Sequence, residues 1–405
     1  MPAARVPDLV PVEEALAQLG VSRQTLYAYV SRGLIRAEPA PGDPRRSLYD
    51  KRDLDRLIER RWRGRARRDV AASTVDFGEP VLASAITRIG DDGLFYRGRD
   101  AVTLAASATL EEVAEILWKG PRAVATPLAQ TQRVATLGPR AGEADRSSPS
   151  RPTTTSTAPI ERCLLAVATD AIGTPIWGRA DDALLADAAR LLRRVAEAVA
   201  GSAGLGPIHA VLARAWGLDA AGADLVRRAL VLCADHELNP STFVVRVVAS
   251  TEASLAACVL AGLAALTGPR HGGTTDRVRA LMAEPGVSED PHQAFAARLA
   301  RGERLPGFGH RLYPGGDPRA ADLLAALGPD GHWARLIAAG EELTGRRPNI
   351  DLALVALEHR LGLPPGAAIG LFATGRTAGW IAHALEQQKA GNLIRPRARY
   401  IGVGV

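Results

Sequence analysis

Aromatic residues, cysteine and lysine are all scarce in this 405-residue chain. Phe, Trp and Tyr together make up 4%. The core must then rely on Ala, Leu and Val, which favours closely packed helices over a β-sandwich. Three cysteines, Cys163, Cys233 and Cys258, are odd in number and far apart. They provide neither a disulfide framework nor a zinc pattern, and a reduced, cytoplasmic setting is expected. The longest uncharged apolar run, Ala253–Leu266, falls short of the about 20 residues a membrane helix needs. The opening MPAARVPDLV has no apolar h-region, so no secretory leader is expected. Only three of the 50 basic residues are lysine (Lys51, Lys119, Lys389). That skew typifies GC-rich genomes and lowers the weight of any single arginine, so position and spacing must carry the argument.

Apolar residues at 47% and charged residues at 23% describe a globular chain, of about two or three domains by length. Charge is uneven. Residues 1–69 hold 15 basic and 10 acidic side chains, a net +5 of the whole chain's +6. A basic run, Arg60 to Arg68, closes that segment. Residues 139–159 are rich in Pro, Ser, Thr and Arg and are expected to be a surface loop or disordered insert, because they bury too little to offset ordering entropy. Between Thr74 and Gly120 the pattern turns from mixed to helical. After Ile160, apolar spacing predicts helices over 160–171, 181–200, 207–216, 221–233, 252–267, 274–283, 291–301, 318–326, 331–345, 350–361, 366–373 and 376–388.

The first segment reads as a short helix over 11–19, a second over 22–32 capped by Ser22 and stopped by Gly33, and a third from Lys51 to about Arg63. Leu16, Leu19, Val21, Leu26, Val30, Leu34 and Ile35 would form its core. Arg23, Gln24, Thr25, Tyr27 and Tyr29 would face outward, and a turn-rich loop over 36–50 would carry Arg45 and Arg46 at its tip. The pattern VSRQTLYAYVSRGLI…Y resembles the winged helix-turn-helix of the mercury-resistance-regulator and excisionase families. That resemblance implies helix 22–32 in a major groove and wing arginines on phosphates, with Arg23, Gln24, Thr25, Tyr27, Arg45 and Arg46 as the DNA-contact candidates. A small helical interaction module with solvated basic charge is the alternative.

Three histidines stand in contexts that need explaining: His236 in ADHELNPST, His271 in TGPRHGG and His310 in PGFGHR. The last two sit in glycine-rich breaks between helices, where a side chain can project into a cleft. The HExxH spacing of a zinc site is absent, as are GxGxxG after a strand and a P-loop.

From about Glu79 to Gly402 the chain resembles citrate synthase. The matching stretches, in order, are Tyr96-Arg97-Gly98, ADHELNPSTFVVRVVAST, GPRHGG, PGFGHRLYPGGDPRA, RRPNIDLALVAL, LFATGRTAGWIAHALEQ and IRPRARYIG. The resemblance implies a mostly α architecture: a two-domain all-α citrate-synthase fold after the winged module at 1–69. Its large domain would comprise 70–271 and 363–405, and its small domain 272–362. It implies condensation of acetyl-CoA with oxaloacetate, then hydrolysis of the citryl thioester. Asp351 would be the base, His271 the donor to the thioester oxygen, and His310 the group polarising the oxaloacetate carbonyl. Arg319, Arg376, Arg395 and His236 would bind oxaloacetate, with Arg395 reaching across a homodimer interface. Phe372 would pack either on substrate or in the core. Gly307, Phe308, Gly309 and Arg311 would contact CoA. No metal and no resident cofactor are implied. Pro314 departs from the family, which usually has Lys or Arg there near CoA phosphates. The alternatives are 2-methylcitrate synthesis from propionyl-CoA, which differs by one methylene, and a DNA-binding metabolite sensor built on the same fold.

Overall fold

The computed structural model describes residues 9–40, 42–58, 82–119, 158–328, 331–398, 400 and 402–403, without the side chains of Pro44, Arg45 and Lys119. The basic run 60–68, the end of the helix expected to reach Arg63 and the Ser/Thr-rich stretch up to residue 157 lie outside them. The chain divides into two compact units, Met1–Ala83 and Ser84–Val405, each with its own apolar core.

In the first unit, β1 (Leu9–Pro11) leads into α1 (Val12–Leu19), which Gly20 ends at φ 59°. In α2 (Arg23–Ser31), Ser22 caps the N-terminus by accepting the Thr25 N–H at 3.3 Å, and Gly33 at φ 69° follows the C-terminus. Residues 36–50 form a hairpin where a loop was expected. Strands β2 (Ala37–Ala40) and β3 (Asp43–Asp50) pair antiparallel, in sheet order β1-β3-β2. Their pairing jumps from Pro39↔Ser47 to Ala40↔Asp43, so 44–46 bulge out of β3. Arg45 and Arg46 therefore belong to a bulged strand, and Gly42 at φ 87° lies at the tip instead. Asp50 Oδ1 then caps the helix over 51–58, α3, by accepting the Arg52 and Asp53 N–H groups.

Leu19, Leu26 and Ile35 are buried as expected, joined by Val10, Ala15, Tyr49 and Leu54. Two expectations fail. Leu34 is exposed, because the Gly33 reversal sets its direction and helical period does not. Tyr29 packs against the core, three residues along the helix from Leu26 and so on its face.

The second unit begins with a small meander, β4 (Thr87–Gly90), β5 (Gly93–Tyr96) and β6 (Arg99–Asp100). All else regular among its described residues is helical. The helices are α4 (Ala101–Ser107), α5 (Leu110–Lys119), α6 (Pro159–Ala168), α7 (Asp181–Ala200), α8 (Ile208–Ala215), α9 (Ala220–Leu232), α10 (Pro240–Ala249), α11 (Leu255–Leu266), α12 (Thr274–Met282), α13 (Pro291–Ala300), α14 (Pro318–Leu327), α15 (Gly331–Thr344), α16 (Ile350–Arg360) and α17 (Ala367–Ala390). Most fall within a residue or two of their predicted bounds. Helix α10 was not predicted, since its Thr and Val residues read as neither period. Asn239 starts it by accepting the Thr242 N–H at 3.0 Å, with Pro240 in the first turn.

Helix α17 is the hub. It packs against α5, α6, α7, α9, α10, α11 and α16 and is buried along nearly its whole length. Two helices were expected here, broken near Gly375. The helix is continuous because these glycines serve close packing. A Cβ on Gly375 would stand 2.6 Å from Leu230 O and 2.9 Å from Cys233 Cβ, and one on Gly379 would stand 2.2 Å from Asp235 Oδ1. The missing side chains let the end of α9, and the turn after it, lie directly on α17.

Candidate active site

The turn after α9 carries His236, the α11–α12 loop His271, and the α13–α14 loop His310. His236 and His310 meet edge to face with ring centroids 5.1 Å apart. Tyr313 completes the cluster, its ring centroid 5.5 Å from His236 and 5.1 Å from His310, and its Oη 3.0 Å from His236 Nε2. Leu312 N–H donates to His310 Nδ1 at 3.2 Å. Nδ1 is thus an acceptor, and the proton of the neutral ring sits on Nε2.

Arg319 lies beside this cluster, its guanidinium carbon 5.7 Å from the Tyr313 ring centre. Asp317 organises it. Its carboxylate takes Arg319 Nε at 2.9 Å and Nη2 at 2.8 Å, caps α14 through the Arg319 N–H, and accepts the Ile350 N–H at 3.1 Å. One buried acid therefore fixes the arginine and ties α14 to the start of α16, one residue before Asp351. Burial opposes its charge, but Arg319 outweighs that and holds Asp317 below the usual carboxylate range. The Asp351 carboxylate receives no hydrogen bond from the described residues. Although its side chain keeps some open surface, desolvation governs it and raises it to about 7, against the pull of Arg319.

Arg376 is the least satisfied group in the site. Its side chain is 1% exposed, Nε donates to Cys233 O at 3.0 Å, and Nη1 and Nη2 have no hydrogen-bond partner. Burial lowers its pKa. Its guanidinium carbon lies 4.7 Å from the centre of the Phe372 ring, one turn earlier on α17, and His271 stands edge-on to the same ring at 6.1 Å. Phe372 is therefore buried between two candidate site residues.

His271 Nε2 lies 2.7 Å from Ser241 Oγ, which is also 2.7 Å from Asn239 Oδ1 and accepts the Trp380 indole N–H at 3.2 Å. Burial pulls both His271 and His310 down to about 4; Arg376 adds to this at His271 and Arg319 at His310. His236 is lowered well below its ordinary value, by burial first and then by the two arginines. All three rings are uncharged at neutral pH.

The structure thus brings together His236, His271, His310, Arg319, Asp351, Phe372 and Arg376. It does not bring in Arg395, which is exposed on the segment after α17. Gly307 and Gly309 take φ of 91° and 80° and are bound to 347–349: Asn349 N–H donates to Gly307 O at 2.9 Å and Gly309 N–H to Arg347 O at 2.8 Å. The Phe308 ring is buried, facing Phe295 at 6.4 Å and filling the space a Cβ on Gly340 would need, so it offers a ligand no side chain. Arg311 is exposed. Tyr313, Asp317 and Ser241 were not singled out from the sequence. All three lie inside matching stretches, but only their contacts mark them. Among the described residues no group of His, Cys, Asp and Glu is arranged to hold a metal ion. In the first unit, Arg23, Gln24, Tyr27 and Arg46 are exposed, while the Thr25 hydroxyl turns back to Ser22 Oγ at 2.9 Å and Arg45's side chain lies outside the described residues.

A family model described as citrate synthase, C-terminal domain, matches residues 77–397, and one described as a helix-turn-helix domain matches 11–61. Citrate synthase 2 of Bacillus subtilis is 38% identical over 185 residues, 43% of this chain and 50% of that protein. A 2-methylcitrate synthase of Shewanella oneidensis is 35% identical over 184 residues, 43% of this chain and 49% of that protein. The chain thus spans about half the length of the curated relatives it matches. The fold is similar to that of citrate synthase from Thermoplasma acidophilum, solved as a ternary complex with carboxymethyl coenzyme A and oxaloacetate. There the TM-score is 0.64 and the identity 24%, covering 81% of this chain and 95% of that one. With most of its length matched by the family model and the same fold around its histidines, the chain belongs to the citrate synthase family.

Proposed function

We propose that this chain condenses acetyl-CoA with oxaloacetate and hydrolyses the product thioester to citrate and CoA. One observation carries the reading: the buried Arg376 guanidinium with both Nη groups unpaired. Such donors are costly to leave unmet, and a carboxylate ligand satisfies them in a two-point contact. Arg319 supplies a second buried cation with Nε and Nη2 already committed to Asp317, leaving Nη1 for a ligand. Two buried cations among neutral imidazoles suit a small dianion. Arg395 is proposed to complete that site from a second copy of the chain.

The chemistry follows from the protonation states. The ionised Asp351 takes a proton from the acetyl methyl group. His271 donates to the thioester oxygen as the enol forms, which lowers the barrier where charge develops. That role needs the proton on His271 Nδ1. In the resting arrangement the Ser241 hydroxyl donates to Asn239 Oδ1 at 2.7 Å and so accepts from His271 Nε2. The proposed role requires that hydroxyl to turn and donate to Nε2 instead, which would select the Nδ1–H tautomer. The enol carbon then bonds to the keto carbon of oxaloacetate. His310, protonated at Nε2, stabilises the alkoxide that develops, and the alkoxide is protonated. Water finally cleaves the C–S bond of the citryl thioester, and CoA leaves as the thiol. No metal and no resident cofactor enter these steps. For CoA, the bonds to 347–349 flank Phe308 and leave its own N–H and C=O to recognise the adenine. Closure of 272–362 over the rest would exclude water while the enol exists.

Thiol release from acetyl-CoA and propionyl-CoA, with and without oxaloacetate, tests the reading. Oxaloacetate-dependent release supports it, and none from folded protein sinks it. Faster release from propionyl-CoA would favour 2-methylcitrate synthesis, the activity named for the Shewanella relative. A second function, DNA contact by the first unit, is favoured by the exposed Arg23, Gln24 and Tyr27 on the capped α2. Failure to shift any promoter fragment at low salt would count against it, since phosphate contacts are strongest there.

A further inference from the structure

Behind His236 and Arg376 lies a buried polar chain that the proposed chemistry does not use. Asp235 is fully buried. Its Oδ2 accepts the Glu237 N–H at 3.1 Å and faces His383 Nε2 at 3.4 Å, while Oδ1 has no hydrogen-bond partner. On the other side of the imidazole, Arg246 Nη1 points at His383 Nδ1 from 3.4 Å. A guanidinium only donates, so Nδ1 offers the lone pair and the ring proton sits on Nε2, aimed at Asp235. Arg246 is held in turn by Glu386 at 2.9 Å and Gln387 at 3.1 Å. Apolar residues of similar volume would fill this space at lower cost, so the place of the chain in the fold needs a reason.

That place is under the dianion site. Asp235 directly precedes His236, in a turn held from several sides. Gly379 N–H donates to Ala234 O at 2.9 Å, the Tyr96 hydroxyl lies 3.3 Å from Asp235 O, and Glu237 is forced to φ 51°. His383 lies seven residues after Arg376 on α17, two turns along the same face. Among the described residues Arg376 itself touches no carboxylate, and Asp235 is the acid that most favours its charge.

We propose that Asp235, fixed by His383 and Arg246, is a positioning residue for the dianion site: it anchors the turn that presents His236, and it supplies the counter-charge that lets Arg376 remain buried with both Nη groups open to a ligand carboxylate. The proposal rests on the functional reading above. A carboxylate in direct contact with Arg376 would occupy the Nη groups. One held back by His383 compensates the charge and leaves the donors open.

The test is titration calorimetry of oxaloacetate into the full-length protein and into Asp235→Asn, His383→Ala and His383→Gln, with steady-state KM values for both substrates. Asp235→Asn and His383→Ala should each weaken oxaloacetate binding about 10–100-fold, the range seen when a supporting partner of a site residue is lost. The KM for acetyl-CoA should stay within about 3-fold. In His383→Gln the side-chain N–H can stand where Nε2–H stood, so binding should return to within about 3-fold of wild type. A merely structural role would lower melting temperature and yield while the folded fraction bound oxaloacetate normally, and that result overturns the proposal. So does a His383→Gln protein that regains stability without regaining affinity. If His383→Ala does not fold, the other two variants decide. Wild-type protein that binds no oxaloacetate overturns the functional reading and the positioning role with it. Wild-type binding with unaffected variants overturns the positioning role alone.

Discussion

Asp351→Asn is expected to stabilise the protein while abolishing its activity. An ordinary aspartate titrates at 3.8, and burial raises Asp351 to about 7. Between those values the folded protein holds a proton that the unfolded chain has lost. Stability from this group therefore falls as pH rises from 3.8 to about 7 and stays reduced above. At about 1.4 kcal/mol per pH unit, the gap amounts to about 4 kcal/mol at pH 8 and under about 1 kcal/mol at pH 4. Asparagine carries no charge, so the variant should recover most of that difference at pH 8. His271 and His310 act in the opposite direction, adding stability as pH rises from about 4 to 6.5, but both proteins contain them and the comparison cancels their effect. With about 2.1 cal/mol/K of unfolding entropy per residue, the second unit should melt about 3–6 °C higher at pH 8. Thermal melts of both proteins at pH 4 and pH 8 measure this. A variant no more stable than wild type at pH 8, or equally stabilised at both pH values, would refute the desolvation argument. Thiol release in the variant should fall by at least about 100-fold, the usual contribution of a positioned base, with oxaloacetate binding unchanged.

Arg376→Met should weaken oxaloacetate binding by about 30-fold or more, because it removes a buried cation whose terminal donors are unpaired; normal calorimetric affinity would exclude the proposed carboxylate contact. Ser241→Ala removes the hydroxyl 2.7 Å from His271 Nε2 and should lower kcat about 10-fold with the oxaloacetate KM little changed, so an unchanged kcat would separate Ser241 from the tautomer it is argued to select. Gly375→Ala would bring a Cβ to 2.6 Å from Leu230 O, pushing α9 off α17 at a cost of about 1–3 kcal/mol; an unaltered denaturation midpoint would show that the helices can separate freely.

The sequence by itself determined much of this protein, for local reasons. Ser22 and Asp317 each accept hydrogen bonds from backbone within three residues, and the starts of α2 and α14 were legible; Asn239 caps α10 in the same way, yet that helix was not predicted. His271 and His310 stood out because glycine-rich breaks leave a side chain free to project. Tertiary structure decided what depends on residues far apart in the chain. Gly375 reads as a helix breaker until Leu230 and Cys233 are packed against it, whereupon it becomes the contact that keeps α17 continuous. Arg319 and Arg376 look alike as letters, yet one is paired with Asp317 and the other has unpaired donors, because only the fold brings Cys233 O to the second. The tautomer of His310 follows from a backbone N–H two residues on, and the raised Asp351 from burial beside groups as far apart in sequence as Arg277 and Arg376. Local pattern specifies which groups are present. Desolvation and unmet hydrogen bonds, which set what those groups can do, exist only once distant segments have excluded water together.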